Sequence, residues 1–202
     1  MRYSVQNIRN VCLLGHSGNG KTALAESLDA MRVAFRAQQE REAQTAQMVG
    51  CVEELAGLAL DYGVSLVMEE YDNELSPIAT MEGVRQFLDG CPALSCAFDT
   101  GNFRFANQAV GDAYQLLRDR IGHVHLKDRS YTQHNGEGAK TALDGVNLYP
   151  APVGGGDLPL EDILAQLKRD GYDGIYTIEH YGANHALEYL KDSVAWVQAR
   201  LG

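Results

Sequence analysis

Long apolar runs are missing from this chain. None exceeds a handful of residues, far below the ~20 that a membrane-spanning helix requires, so no membrane partner is expected. The run VCLL at residues 11–14 is too short for the apolar region of a signal peptide. Basic charge is scarce: 17 Lys and Arg face 27 Asp and Glu, for a formal net charge of −10. A nucleic-acid partner held on a broad basic face is therefore excluded. The four cysteines, Cys12, Cys51, Cys91 and Cys96, form no C-x-x-C pair. Without a secretory segment they read as reduced thiols of a cytoplasmic protein. Internal repeats and low-complexity tracts are absent too.

What is present reads as a globular α/β chain. With 202 residues, 45% hydrophobic and 22% charged, it suits one large or two small soluble domains. Short apolar runs at residues 10–14, 64–68, 94–98, 122–126 and 174–178 alternate with helical stretches. Those stretches are residues 21–48, 52–62, 81–88, 108–119, 160–170 and 186–201. Such alternation predicts a mainly parallel sheet. Asp157 with Glu161, and Ser76-Pro77, look like helix or turn starts. Residues 130–157, rich in glycine, form a connection long enough to expect a functional or mobile loop. Residues 1–29 carry three Lys/Arg and two Asp/Glu, whereas the rest carry fourteen and twenty-five. That shift places a seam near residues 29–31, dividing a 1–30 segment from a 31–202 domain.

The loudest short motif is GHSGNGKT, residues 15–22. It fits G-x-x-x-x-G-K-[ST], a loop whose backbone N–H groups cradle phosphate. Gly15 and Gly20 would free the backbone, Lys21 would supply charge, and Thr22 would ligate Mg²⁺. The wider wording IRNVCLLGHSGNGKTALAESL resembles the amino-terminal strand, loop and helix of elongation factor G-type GTPases, over residues 3–29. That resemblance implies nucleotide binding. Guanine selection would also need N-K-x-D, which occurs nowhere, and the D-x-x-G spelling occurs only at DRIG, 119–122, where it ends a helix. The alternative is a tight strand–helix turn without chemistry.

A second constellation lies at strand ends. Glu69 follows an apolar run in VSLVMEEYDN, and Asp99 does so in LSCAFDTGNF. His125 ends a run in IGHVHLKDR, and Glu179 ends one in GIYTIEHYG. In a parallel α/β sheet the carboxyl ends of the strands share one edge, where active sites gather. Three carboxylates and one imidazole there suit Mn²⁺, Mg²⁺ or Co²⁺, with Zn²⁺ also admissible. Taken singly, each acid has a bland reading as a cap or solvated turn residue, and His125 as a structural histidine. As a set of four they point to a metal.

From about residue 45 onward the pieces LVMEEYDNELSPIAT, FDTGNF, HVHLKDR, VGGGDLPLEDILAQLKRDGYDG and YTIEHY resemble the xylose isomerase-like TIM barrels, the sugar phosphate isomerase/epimerase superfamily. The resemblance implies that Glu69, Asp99, His125 and Glu179 hold the metal and that Glu69 and Glu179 also move protons. It implies further that Asn102, Lys127, Asp128 and Arg129 face a small sugar substrate. Only strands 5 to 8 of such a barrel are recognisable, whereas a full barrel needs eight βα units in about 250 residues. The expected architecture is thus a half TIM barrel with an added amino-terminal strand–phosphate loop–helix, a fusion whose open edges invite a homodimer. The expected activity is metal-dependent sugar isomerisation or epimerisation through an enediolate. A phosphate-loop nucleotide-binding module and a non-catalytic fusion are the alternatives.

Overall fold

The structure is a computed structural model that describes the backbone of residues 21–201 and the side chains of residues 36–201. The chain divides into two compact units, Met1–Gln47 and Met48–Gly202. The strand expected at residues 10–14 and Gly15 and Gly20 of the phosphate loop lie outside the described residues. Lys21 and Thr22 open helix α1, Lys21–Asp61, which runs through residues 29–31 and past Gly50. No described helix is long and apolar enough to cross a membrane.

The second unit is built on a four-stranded parallel sheet. Its strands are β1 (Leu66–Glu69), β2 (Leu94–Asp99), β3 (Ile121–Leu126) and β7 (Tyr176–Ile178), in the order β1-β2-β3-β7. Between them come α2 (Met81–Gly90), α3 (Val110–Leu117) and α4 (Leu160–Arg169), and α5 (Ala186–Leu201) follows the last strand. Each strand alternates. Leu94, Cys96 and Phe98 of β2, and Val124 and Leu126 of β3, enter the core cluster, as do Val84, Phe87 and Leu88 of α2. Apolar residues at 160, 163, 164 and 167 give α4 one buried stripe, the helical spacing that lets it cover a sheet. The ring of Phe98 meets Tyr114 edge-on with centroids 5.8 Å apart, a favoured aromatic geometry. The period-two alternation leaves Val67, Glu69, Ala97, Asp99, His123, His125 and Thr177 on the opposite face.

Local chemistry sets the element ends. The Thr80 side chain accepts the Gly83 N–H and caps α2, which starts five residues after the Ser76-Pro77 turn signal. Ser76 itself accepts the Ile78 N–H. Helix α4 begins at Leu160, where the helical stretch 160–170 places it, and Pro159 precedes it with no side-chain cap, so the helix-or-turn-start signal at Asp157 supplies no helix cap. Asp157 instead accepts the Ser130 hydroxyl at 2.8 Å and the Tyr131 N–H at 2.7 Å. Residues 130–157 are more ordered than their composition suggests. They carry a small antiparallel sheet of β4 (Asp128–Ser130), β5 (Lys140–Thr141) and β6 (Asn147–Ala151), in the order β4-β6-β5. The DRIG spelling is structural: Asp119 pairs with Arg85 at 2.8 Å. Arg120 donates to the carbonyls of Leu88 and Cys91, tying the start of β3 to the α2–β2 turn.

Candidate metal centre

Register brings four strand ends together. Glu69 pairs beside Ala97, Asp99 beside His125, and His125 beside Thr177. The Glu179 N–H reaches the Leu126 carbonyl at 3.0 Å, one step beyond β7. All four side chains leave the same face of the sheet at its carboxyl edge. One ligand atom from each of Glu69, Asp99, His125 and Glu179 lies within 4.8 Å of every other.

The donor set fits a divalent cation. Asp99 is fully buried. Its Oδ1 accepts the N–H groups of Gly101 and Asn102 at 2.7 Å each. That fixes the carboxylate and leaves Oδ2 with no hydrogen bond among the described residues. His125 Nδ1 lies 3.1 Å from Glu69 Oε1 and 3.3 Å from Glu179 Oε2, yet hydrogen-bonds to neither in an acceptable geometry. Two buried ligand atoms without a hydrogen bond, gathered among carboxylates, are what a cation site presents, because such groups are otherwise costly to bury.

Electrostatics show the strain of leaving the acids together. The Glu179 and Glu69 carboxylates hold the His125 ring up to about 10. His125 in turn brings Glu179 down to about 2, against its partial burial. Burial pushes Asp99 up to about 6 although Lys127 pulls the other way. Lys127 Nζ sits 2.6 Å from Glu179 Oε1, 3.4 Å from Asp99 Oδ2 and 3.0 Å from Asn102 Oδ1. Asn102 Nδ2 in turn lies 3.3 Å from Glu69 Oε1. Asn102 and Lys127 thus connect three of the four ligand residues, and the Lys127 pKa is raised, although burial opposes it.

The remaining residues named from sequence lie apart from this network. Asp128 is buried and spends its carboxylate on backbone: Oδ2 accepts the N–H groups of Gly154 and Gly156, Oδ1 those of Arg129 and Leu158. A Cβ on Gly156 would collide with that carboxylate, which explains the glycine there. Arg129 is also buried, with Asp72 3.7 Å away. Asp72 is held more closely by Lys140 at 2.6 Å.

Three features escaped the sequence. Glu70, next to a ligand, is buried with neither carboxylate oxygen hydrogen-bonded among the described residues. Burial, then Asp99, pushes it to about 9. The doubled acid in EEYD was the available signal. Thr100 clips β2 to β3 through the Lys127 N–H and carbonyl, for which no pattern exists. Glu137, fully buried, accepts the N–H groups of Asn184 and His185, partners 47 and 48 residues away.

A family model described as xylose isomerase-like TIM barrel matches residues 11–200. No curated protein matches the chain. Among solved structures, the probable 3-DHS dehydratase AsbF from Bacillus anthracis is 20% identical with a TM-score of 0.61, covering 80% of this chain and 57% of that one. A xylose isomerase-like TIM barrel protein from Mycobacterium smegmatis in complex with magnesium is 22% identical with a TM-score of 0.62, covering 79% and 51%. D-allulose 3-epimerase from Methylomonas sp. is 19% identical with a TM-score of 0.56, covering 77% and 55%. The chain therefore spans little more than half the length of these structures.

Proposed function

The chain belongs to the xylose isomerase-like TIM barrel family, and from that premise we propose that it is a divalent-metal-dependent isomerase or epimerase of small sugars or sugar phosphates. The observation that carries this reading is the convergence of Glu69, Asp99, His125 and Glu179 within 4.8 Å at the carboxyl edge of the sheet. Mn²⁺, Mg²⁺ or Co²⁺ suits three carboxylates and one imidazole, and Zn²⁺ is admissible. When bound, the ion supplies Lewis acidity to the carbonyl and neighbouring hydroxyl of the sugar.

The chain's own residues move the proton. Glu69 and Glu179 stand on opposite outer strands of the sheet, either side of Asp99 and His125. One carboxylate takes the proton from the carbon beside the carbonyl, leaving an enediolate. The same carboxylate, now protonated, or the second once the proton has passed to it, returns that proton to the neighbouring carbon or the opposite face. Lys127 and Asn102 hold the two carboxylates in orientation. Lys127 carries the positive charge that offsets the negative charge building on the enediolate. The carboxylate of Asp128 fixes the loop of residues 154–158 beside the rim. A substrate role for Asp128 and Arg129 rests on the family resemblance alone. D-allulose 3-epimerase among the structural relatives supports a ketose as first substrate to try.

The test is metal content followed by turnover. Chain dialysed against Mn²⁺ is expected to retain one ion, and Glu179→Ala to lose it. Ketohexose epimerisation is then followed by chromatography with Mn²⁺ present. Wild-type chain that takes up no divalent ion at micromolar concentration sinks the proposal.

A further inference from the structure

Two helices carry an apolar row that nothing described covers. On α1 it is Met48, Cys51, Leu55, Leu58 and, just beyond the helix, Tyr62. Leu55 and Leu58 are 53% and 58% exposed, and Cys51 is exposed as well. On α5 it is Leu187, Leu190 and Val194, with Leu187 69% exposed. Both rows advance by three and four residues, the spacing of a helix-packing seam.

The rows lie on opposite flanks. The core-facing row of α1 is Val49, Val52 and Ala56, so its exposed row sits one residue before the core row. In α5 the buried row is Tyr189 and Ser193, so its exposed row sits one residue after. Each step along a right-handed helix turns by about 100°. Both helices run against the strands on the same side of the sheet. The two exposed rows therefore face opposite ways along the sheet. Right-handed crossovers place α1 beyond β1 and α5 beyond β7. With that hand, each apolar row faces outward, past the end of the sheet. The outer edges of β1 and β7 are themselves unpaired among the described residues. Val64 and Ile175, which precede these strands, are 57% and 67% exposed.

We propose that a second copy of this chain closes the barrel about a twofold axis parallel to the strands. The β7 edge and α5 row of each subunit meet the β1 edge and α1 row of the other. Strand count and direction fit: four parallel strands doubled give the eight of a closed barrel, and such an axis keeps all of them parallel. The closed symmetry leaves no free edge. Charge fits as well, since exposed Glu54 and Asp61 border the α1 row and exposed Lys191 borders the α5 row. Closure gives each metal centre the opposite wall of its substrate pocket from the other subunit. The inference rests on the fold and stands apart from the chemistry proposed above.

Sedimentation equilibrium of the full chain at micromolar concentration is expected to give twice 22.1 kDa. Leu58→Glu and Leu190→Glu should each weaken association at least 100-fold. Leu60→Glu, on the other flank of α1, should leave it unchanged. These sites are exposed within one subunit, so circular dichroism should show each variant folded. In a Cys12→Ser background, mild oxidation of Leu187→Cys, Leu190→Cys and Val194→Cys in turn should give at least one covalent dimer through Cys51 of the partner subunit. Cys51 without a new cysteine should not cross-link, because the axis places the two copies of α1 on separate seams. A monomer overturns the proposal, as it would if residues 10–14 occupied an edge. So does a dimer that survives both seam substitutions, or one that cross-links through Cys51 alone.

Discussion

Lys127 shows how much one side chain settles at this centre. Three ionised carboxylates, one ammonium and one divalent ion sum to zero charge, so Lys127 balances the loaded site. Its ammonium also repels the incoming cation at close range. Lys127→Met is therefore expected to tighten Mn²⁺ binding in a chelator competition while lowering kcat by about 100-fold, the usual loss for one stabilising donor. Unchanged metal affinity would show that the lysine does not share the cation's field. Asp128 separates structure from substrate contact. Its carboxylate serves four backbone N–H groups, and each orphaned buried donor costs ~1–3 kcal/mol. Asp128→Ala should destabilise the chain by on the order of 3 kcal/mol in urea titration, with little change in metal affinity. The convergence of Glu69, Asp99, His125 and Glu179 was legible because each ends an apolar run and parallel topology must gather such ends. Three of the four partners of Asp128 were not, because they are backbone groups of a loop 26 to 30 residues away.

At the scale of elements, α5 is fastened by a polar contact that titrates. Ser193 Oγ donates to the Tyr189 carbonyl and accepts the Val153 N–H. That leaves His180 Nε2, 3.1 Å away, as donor from a neutral ring. Burial lowers the His180 pKa. A histidine whose folded pKa is lowered contributes stability above its unfolded value near 6.5, lost as pH falls through the folded value. His125 runs oppositely. Its folded value of about 10 means stability that is full below ~6.5 and lost as pH rises toward 10. Glu70, raised to about 9, loses stability over the same rise in pH. The metal-free chain should thus lose stability as pH rises from about 5 to 9. His125→Gln and Glu70→Gln should each flatten that fall in melting curves, and His180→Gln should steepen its acid end. A wild-type profile flat across that range would contradict the His125 and Glu70 assignments. The main strands and helices were readable from period and length, since four hydrophobic strands with covering helices need long, regular signals. The β4–β6–β5 sheet was not. Its strands are two to five residues long and sit among glycines, so composition spoke louder than pattern.

Across the whole second unit, the metal centre and the sheet are one mechanical object. The candidate ligands come from β1, β2, β3 and the residue after β7, one from every strand of the parallel sheet. Without a cation, the three acids at that edge repel one another or hold protons. With one, the strand ends are cross-linked. Binding to the folded state alone stabilises by about 2.7 kcal/mol at 100-fold excess over Kd. In a chain of this size, that amounts to a rise in Tm of roughly 5–10 °C. Mn²⁺ should produce such a rise, EDTA should reverse it, and Asp99→Asn should abolish it even where residual binding persists. Asp99 is the discriminating choice because it sits at mid-sheet and its Oδ1 already positions Gly101 and Asn102. A cation bound by only the outer pair, Glu69 and Glu179, would leave the Asp99→Asn melting shift equal to that of the wild type, and the shared four-strand centre would then be wrong.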